Sequence, residues 1–122
     1  MSGSIGVKSA FAARAAADGY RILVEREWPR GVPKGKAAGC HWMKSLGPSS
    51  NLWGWWARNP RKVSGFRDRY LAELGHNDRD VAKLCTLLRE HGSITILQVP
   101  HDDQLDIEQT LASYLRAHCD AT

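Results

Sequence analysis

The sequence predicts an α/β fold: a small, mainly parallel sheet of about three strands covered by four to five helices. Three observations lead there. Apolar, β-branched runs recur at Tyr20–Arg26 and Ser93–Val99, with the length and content of buried strands. Between and after them, apolar residues recur at helical spacing over several stretches. Both strand runs end in polar loops, as strands of an α/β domain do before the chain turns into a helix.

Taken in order, Ser4–Ala10 alternates weakly and reads as a first strand. The segment "AADG" supplies a turn, and Ile22, Leu23 and Val24 form the apolar centre of the second strand. Only a short connection joins these runs. A parallel crossover usually needs more chain, so a hairpin is expected here. The stretch "KAAGCHWMKSL" has Ala38, Trp42 and Leu46 at four-residue spacing, which predicts a helix that begins near Lys36 and ends at Pro48. Ser49 or Ser50 then caps a short helix over "SNLWGWWA". A longer helix opens near Pro60, closes at Gly75 and turns Val63, Phe66, Tyr70 and Leu74 to one side. The next runs from an Asn77 or Asp78 cap to Gly92, with Val81, Leu84, Leu87 and Leu88 inward. After the strand "SITILQV", Pro100 and "HDDQ" lead into a last amphipathic helix on Ile107, Leu111, Tyr114 and Leu115.

Composition narrows the class. The 122 residues suffice for one domain, 1–122, with an ordered core over roughly 4–118. With 43% apolar and 25% charged residues the chain is globular in character. A net charge of +4 permits an anionic partner without demanding one. The three cysteines, Cys40, Cys85 and Cys119, are too scattered for a disulfide framework or a paired zinc site. They read as reduced thiols, Cys85 as part of the core. No run approaches the roughly 20 apolar residues of a membrane span. Arg14 breaks the apolar start that a signal peptide would need, so the cytoplasm is the expected compartment.

Chemistry concentrates after the second strand. Arg26, Arg30, Lys34 and Lys36 crowd around Trp28 in "EREWPRGVPKGK". Arginine's planar fork pairs two oxygens at once, Gly31 lets backbone amides approach an anion, and Trp28 offers a stacking surface. Pro29 and Pro33 pre-set the loop. The structural alternative pairs Glu25 with Arg26 or Arg30 and uses Trp28 as a core plug. After the last strand, His101, Asp102 and Asp103 carry the groups for acid–base work or for a divalent cation. More simply, the two aspartates cap the following helix. Adjacent Cys40 and His41 diverge on a helix and make a poor nucleophile–base pair. Trp53, Trp55 and Trp56 either stack on single-stranded nucleic acid or fill the core and its rim. Neither GxGxxG nor GxxxxGK[ST] occurs, which argues against the familiar nucleotide-binding loops. The residues specify no cofactor, and no metal site stands out.

Several of these stretches resemble one family. "YRILVEREWPRG", then Lys34 or Lys36, Trp42, Lys44, "GPS", Trp55–Trp56, "FRDRYLAEL" and "ITIL" look like the short YeaO-like branch of domain-of-unknown-function family 488. The resemblance runs from Tyr20 to Leu115 and implies a small cytoplasmic α/β protein without an assigned activity. Glu25 stands where the family usually reads aspartate. Asp102 matches an acid after the last strand, but Leu105, Asp106 and Ile107 replace a His-Asn-Asn run. Any chemistry at those positions is altered here.

The reading that joins these points is a basic, Trp-lined cleft for a small phosphorylated or carboxylated ligand. Arg26, Trp28, Arg30, Lys34 and Lys36 form its wall. Glu25 and Asp102 are the candidate catalytic or orienting acids, with Arg30 partly hidden against one of them and Trp28 mostly buried. It needs the second and last strands to be parallel neighbours, so that their loops meet. The competing reading is nucleic-acid binding through the basic surface and tryptophans.

Overall fold

In the computed structural model, residues 4–12, 15–25, 40–99 and 105–119 are described. Strands β1 (Ser4–Ser9), β2 (Tyr20–Leu23), β3 (Cys40–Trp42) and β4 (Ser93–Gln98) form one sheet in the order β1-β4-β2-β3. Every pairing is parallel. Four α-helices accompany it: α1 (Ser50–Arg58), α2 (Val63–Gly75), α3 (Asp78–His91) and α4 (Ile107–Cys119). The fold is therefore the expected α/β arrangement, with one more strand than the sequence suggested.

Three expectations are corrected. First, β1 and β2 do not form a hairpin; β4 lies between them and pairs in parallel with both. Among the described residues, the connection that crosses β4 contains the 3-10 turn Ala16–Asp18. Second, the helix expected over Ala38–Leu46 is absent where the chain is described. Cys40–Trp42 is strand β3, followed by a 3-10 turn, Lys44–Leu46. The four-residue spacing misled because Leu46 is buried while Trp42 is 37% exposed, so the two share no face. Pairing with β2 selects the strand, and Met43 N–H extends the ladder to the Leu23 carbonyl at 2.7 Å. Third, Cys85 and Cys119 are not free thiols but form a disulfide between α3 and α4.

The helices follow their sequence signals closely. Ser49 caps α1 by accepting the Leu52 N–H at 3.1 Å. Helix α2 buries Phe66, Tyr70 and Leu74, although it starts at Val63 and not near Pro60. Helix α3 buries Val81, Leu84 and Leu88, and Gly92 closes it at φ 78°, a conformation that glycine adopts without penalty. Helix α4 buries Ile107, Leu111 and Leu115.

Side chains alternate across a strand, which separates two sheet faces. Ile5, Ile22, Ile94 and Ile96 join the helices in the main core. Leu23 and Leu97, offset by one residue, are buried on the other face. Burial on both faces explains why the β2 and β4 stretches read as continuous apolar runs.

Candidate functional site

In α/β sheets ligands sit beyond the carboxyl ends of the strands. Strands β2 and β4 pair through Tyr20 with Ile94, Arg21 with Thr95 and Ile22 with Ile96. Being parallel neighbours, they release the chain at the same edge, β2 into Val24–Glu25 and β4 into Val99. Of the sequence-predicted site residues, only Glu25 lies among those described, half-buried at this edge. Arg26, Trp28, Arg30, Lys34, Lys36 and Asp102 lie outside the described residues, as do His101 and Asp103. The expected burial of Trp28 and the Arg30–acid pair fall outside them too.

Among the described residues, β3 reaches Glu25. The Trp42 indole N–H donates to the Glu25 carbonyl at 2.6 Å. Lys44 Nζ rides over the Trp42 ring, 4.5 Å from its centroid. Gly47 packs so closely on the Val24 carbonyl that any Cβ there would collide with it. A cleft of about 750 Å³ opens beside this turn, lined by Lys44, Ser49, Asn51, Glu73 and His76 among others. Its floor is rigid: the buried Tyr70 hydroxyl donates to the Leu46 carbonyl at 2.6 Å, and Glu73 accepts from the Ser49 backbone N–H at 2.9 Å. Burial pushes the Tyr70 hydroxyl pKa far above its usual value, helped by the negative charges of Glu108 and Glu73. Sequence reasoning did not gather Lys44, Glu73 and His76 into a site, because the turn Lys44–Leu46 meets the end of α2 only in three dimensions.

Other candidates resolve into packing. Trp53 and Trp56 lie against Phe66, with ring centroids at 5.2 and 5.6 Å, and Trp55 is covered by Arg69 at 4.0 Å. They form a half-buried rim. His41 stacks on Tyr20 at 4.1 Å. Leu105 and Ile107, which replace two polar positions of the family pattern, are buried in the core at 2% and 3% exposure. Among the described residues there is no cluster of histidine, cysteine or carboxylate side chains fit for a metal ion. None of the described helices is long and apolar enough to cross a membrane.

Comparison with known proteins shows the family. The chain is 33% identical over 100 residues to the uncharacterized protein YeaO of Escherichia coli (strain K12), covering 82% of this chain and 86% of that one. It is 37% identical over 67 residues to the uncharacterized protein Rv3073c of Mycobacterium tuberculosis (strain ATCC 25618 / H37Rv), covering 55% and 56% of the two chains. No solved structure matches. A family model described as the inactive DUF488-N3 subclade matches residues 4–122, and the chain belongs to that subclade of the DUF488 family.

Proposed function

We propose that the protein binds a small phosphorylated or carboxylated molecule at the carboxyl edge of β2 and β4, and that it does so without turning it over. The observation that carries this reading is the parallel pairing of β2 with β4. It brings Glu25 and Val99, which precede the basic and the acidic segments in the sequence, to one edge of the sheet. Arg26 and Arg30 hold the anion, Lys34 and Lys36 add charge, and Trp28 stacks on the organic part. Glu25 and Asp102 orient the arginines. Binding without catalysis is favoured by the subclade's description as inactive. It is favoured also by the burial of Leu105 and Ile107, whose apolar side chains cannot transfer protons. The proposed setting is the cytoplasm.

A thermal-shift screen with nucleotides, sugar phosphates and small carboxylates tests this. A ligand that raises the melting temperature of the wild type should leave Arg30→Ala unshifted while its circular dichroism stays native. Equal shifts in both proteins would remove Arg30 from the site and the reading with it.

A further inference from the structure

Cations gather at the corner between α1 and α2, which the strand-end reading does not use. From Arg58, in the last turn of α1, to Arg69 on α2 the chain carries five cations and one acid, Asp68. Arg58, Arg61, Lys62 and Arg69 are all exposed. The corner is tightly turned: the Asn59 N–H donates to the Trp56 carbonyl and the Lys62 N–H to the Asn59 carbonyl, each at 3.0 Å. Arg58 lies three residues beyond Trp55, on the same side of α1. Arg69 covers the Trp55 ring at 4.0 Å and donates to the Gly65 carbonyl at 3.4 Å. Two arginines therefore flank one half-buried tryptophan, and Arg61 and Lys62 stand in the turn that joins their helices.

Packing on Trp55 accounts for Arg69 alone. Among the described residues, none of the four cations makes an ion pair, and neither does Asp68. Arg61 and Lys62 stand at the amino end of α2, where the helix dipole disfavours a cation. Helix α2 has no acid in its first turn to offset them. These charges do not serve the helix, and an anionic partner would relieve them. The spread of the patch selects its kind. Lys62 to Arg69 is about 10 Å of helix at 1.5 Å per residue, longer than one small anion. It matches several phosphates of a nucleic-acid strand, which follow one another at about 3.4 Å. An anionic membrane fits less well, because surface helices there bury apolar side chains beside their cations. Among the described residues the exposed large hydrophobics are Phe11 and Trp42, and neither belongs to α1 or α2.

We propose that the corner between α1 and α2 is a docking surface for the phosphodiester backbone of nucleic acid, with Arg58, Arg61, Lys62 and Arg69 as its contacts. Trp55 supports the Arg69 guanidinium from below and does not stack on bases. Contacts of this kind go to phosphates and carry no sequence information, so binding is independent of base sequence. The surface uses neither Arg26 nor Arg30.

Fluorescence anisotropy of a labelled duplex oligonucleotide of random sequence, titrated with the whole protein between about 50 and 200 mM sodium chloride, tests this. Wild type should bind at the low-salt end. Its log affinity should fall against log salt with a slope of about −3 to −4, as four neutralised phosphates require. Arg61→Gln/Lys62→Gln, with native circular dichroism, should bind at least about tenfold more weakly at low salt, and its slope should be shallower by about 2. Arg79→Gln, which removes an exposed cation of α3, and Arg30→Ala should both match wild type. Absence of binding at the low-salt end overturns the proposal. So does a double variant that binds like wild type, or an equal loss in Arg79→Gln or Arg30→Ala, which would assign the binding to net charge or to the strand-end loops. Tighter binding of wild type to vesicles of phosphatidylserine and phosphatidylcholine than to the oligonucleotide would assign the corner to a membrane and overturn it as well.

Discussion

Ser49 and Glu73 are joined twice: the Ser49 backbone N–H and hydroxyl both donate to the Glu73 carboxylate. The same hydroxyl accepts the Leu52 N–H, so one residue caps α1 and fastens it to the last turns of α2. A carboxylate near the carboxyl end of its own helix is poorly placed, but at the amino end of α1 it is favoured by that helix's dipole. Ser49→Ala should cost about 1–2 kcal/mol, the usual loss for a capping side chain. A urea-denaturation cycle combining Ser49→Ala with Glu73→Ala should show a coupling of about 0.5–3 kcal/mol. Strict additivity would contradict the shared contact.

The Cys85–Cys119 disulfide closes a loop across 34 positions and ties α4 to α3. In the chain-entropy view a loop of that size stabilises by about 3–4 kcal/mol. Dithiothreitol should lower the urea midpoint of the wild type and leave Cys119→Ser unaffected, so that the two converge under reducing conditions. In the proposed cytoplasmic setting the bond would open and close with the thiol–disulfide balance of the cell. A wild type indifferent to reductant in this assay would contradict a stabilising bond.

Tyr70 gives a pH signature. Its hydroxyl is buried and donates to Leu46, and burial raises its folded-state pKa above the unfolded value, which is about 10. Stability from the neutral hydroxyl is then fully present below about pH 10 and is lost as pH rises beyond it. Tyr70→Phe should be less stable than wild type at neutral pH by about 1 kcal/mol. That gap should narrow above about pH 10. A gap constant from neutral pH into that range would show that Tyr70 does not titrate differently on folding.

Asp18 has the opposite sign. The Ala15 N–H, then Lys8, hold its carboxyl below the usual range, with Arg21 adding a smaller pull. Its contribution is present above the unfolded pKa, about 4, and disappears as pH falls through the folded value. Asp18→Asn should therefore be less stable than wild type near neutrality and approach it below about pH 4. Thermal unfolding at matched salt measures this. Parallel pH profiles would mean that Asp18 is not held by Lys8 and Ala15 in solution.

Much of this architecture is legible in the sequence because its signals are local. Phe66, Tyr70 and Leu74 lie one turn apart on α2 and are all buried, and Gly92 sits where α3 must stop. The features that escaped reading are those made by distant partners. Strand β3 has three residues, and its ladder is supplied by β2, a segment separated from it in sequence. Cys85 and Cys119 each look like ordinary core residues of their own helix, and nothing nearby announces the bond. The same holds for Arg21, which reads as an edge residue of an apolar run until Thr95 and Asp18 are placed beside it. At the candidate edge, Glu25 is the one predicted residue described; its Trp42 contact depends on β3 and could not be foreseen while that stretch was read as helix.

The order β1-β4-β2-β3 also governs when the protein can acquire its shape. The strand that joins β1 to β2 is the last of the sheet in the chain, beginning at Ser93. A growing polypeptide on the ribosome carries β1, β2 and β3 through the making of α1, α2 and α3 without the element that unites them. Until Ile94 and Ile96 emerge, β1 has no partner in the sheet and Ile5 and Ile22 have no shared strand to pack beside. Its nascent apolar segments must therefore wait, exposed to chaperones or to neighbouring chains, for a distant pairing to close.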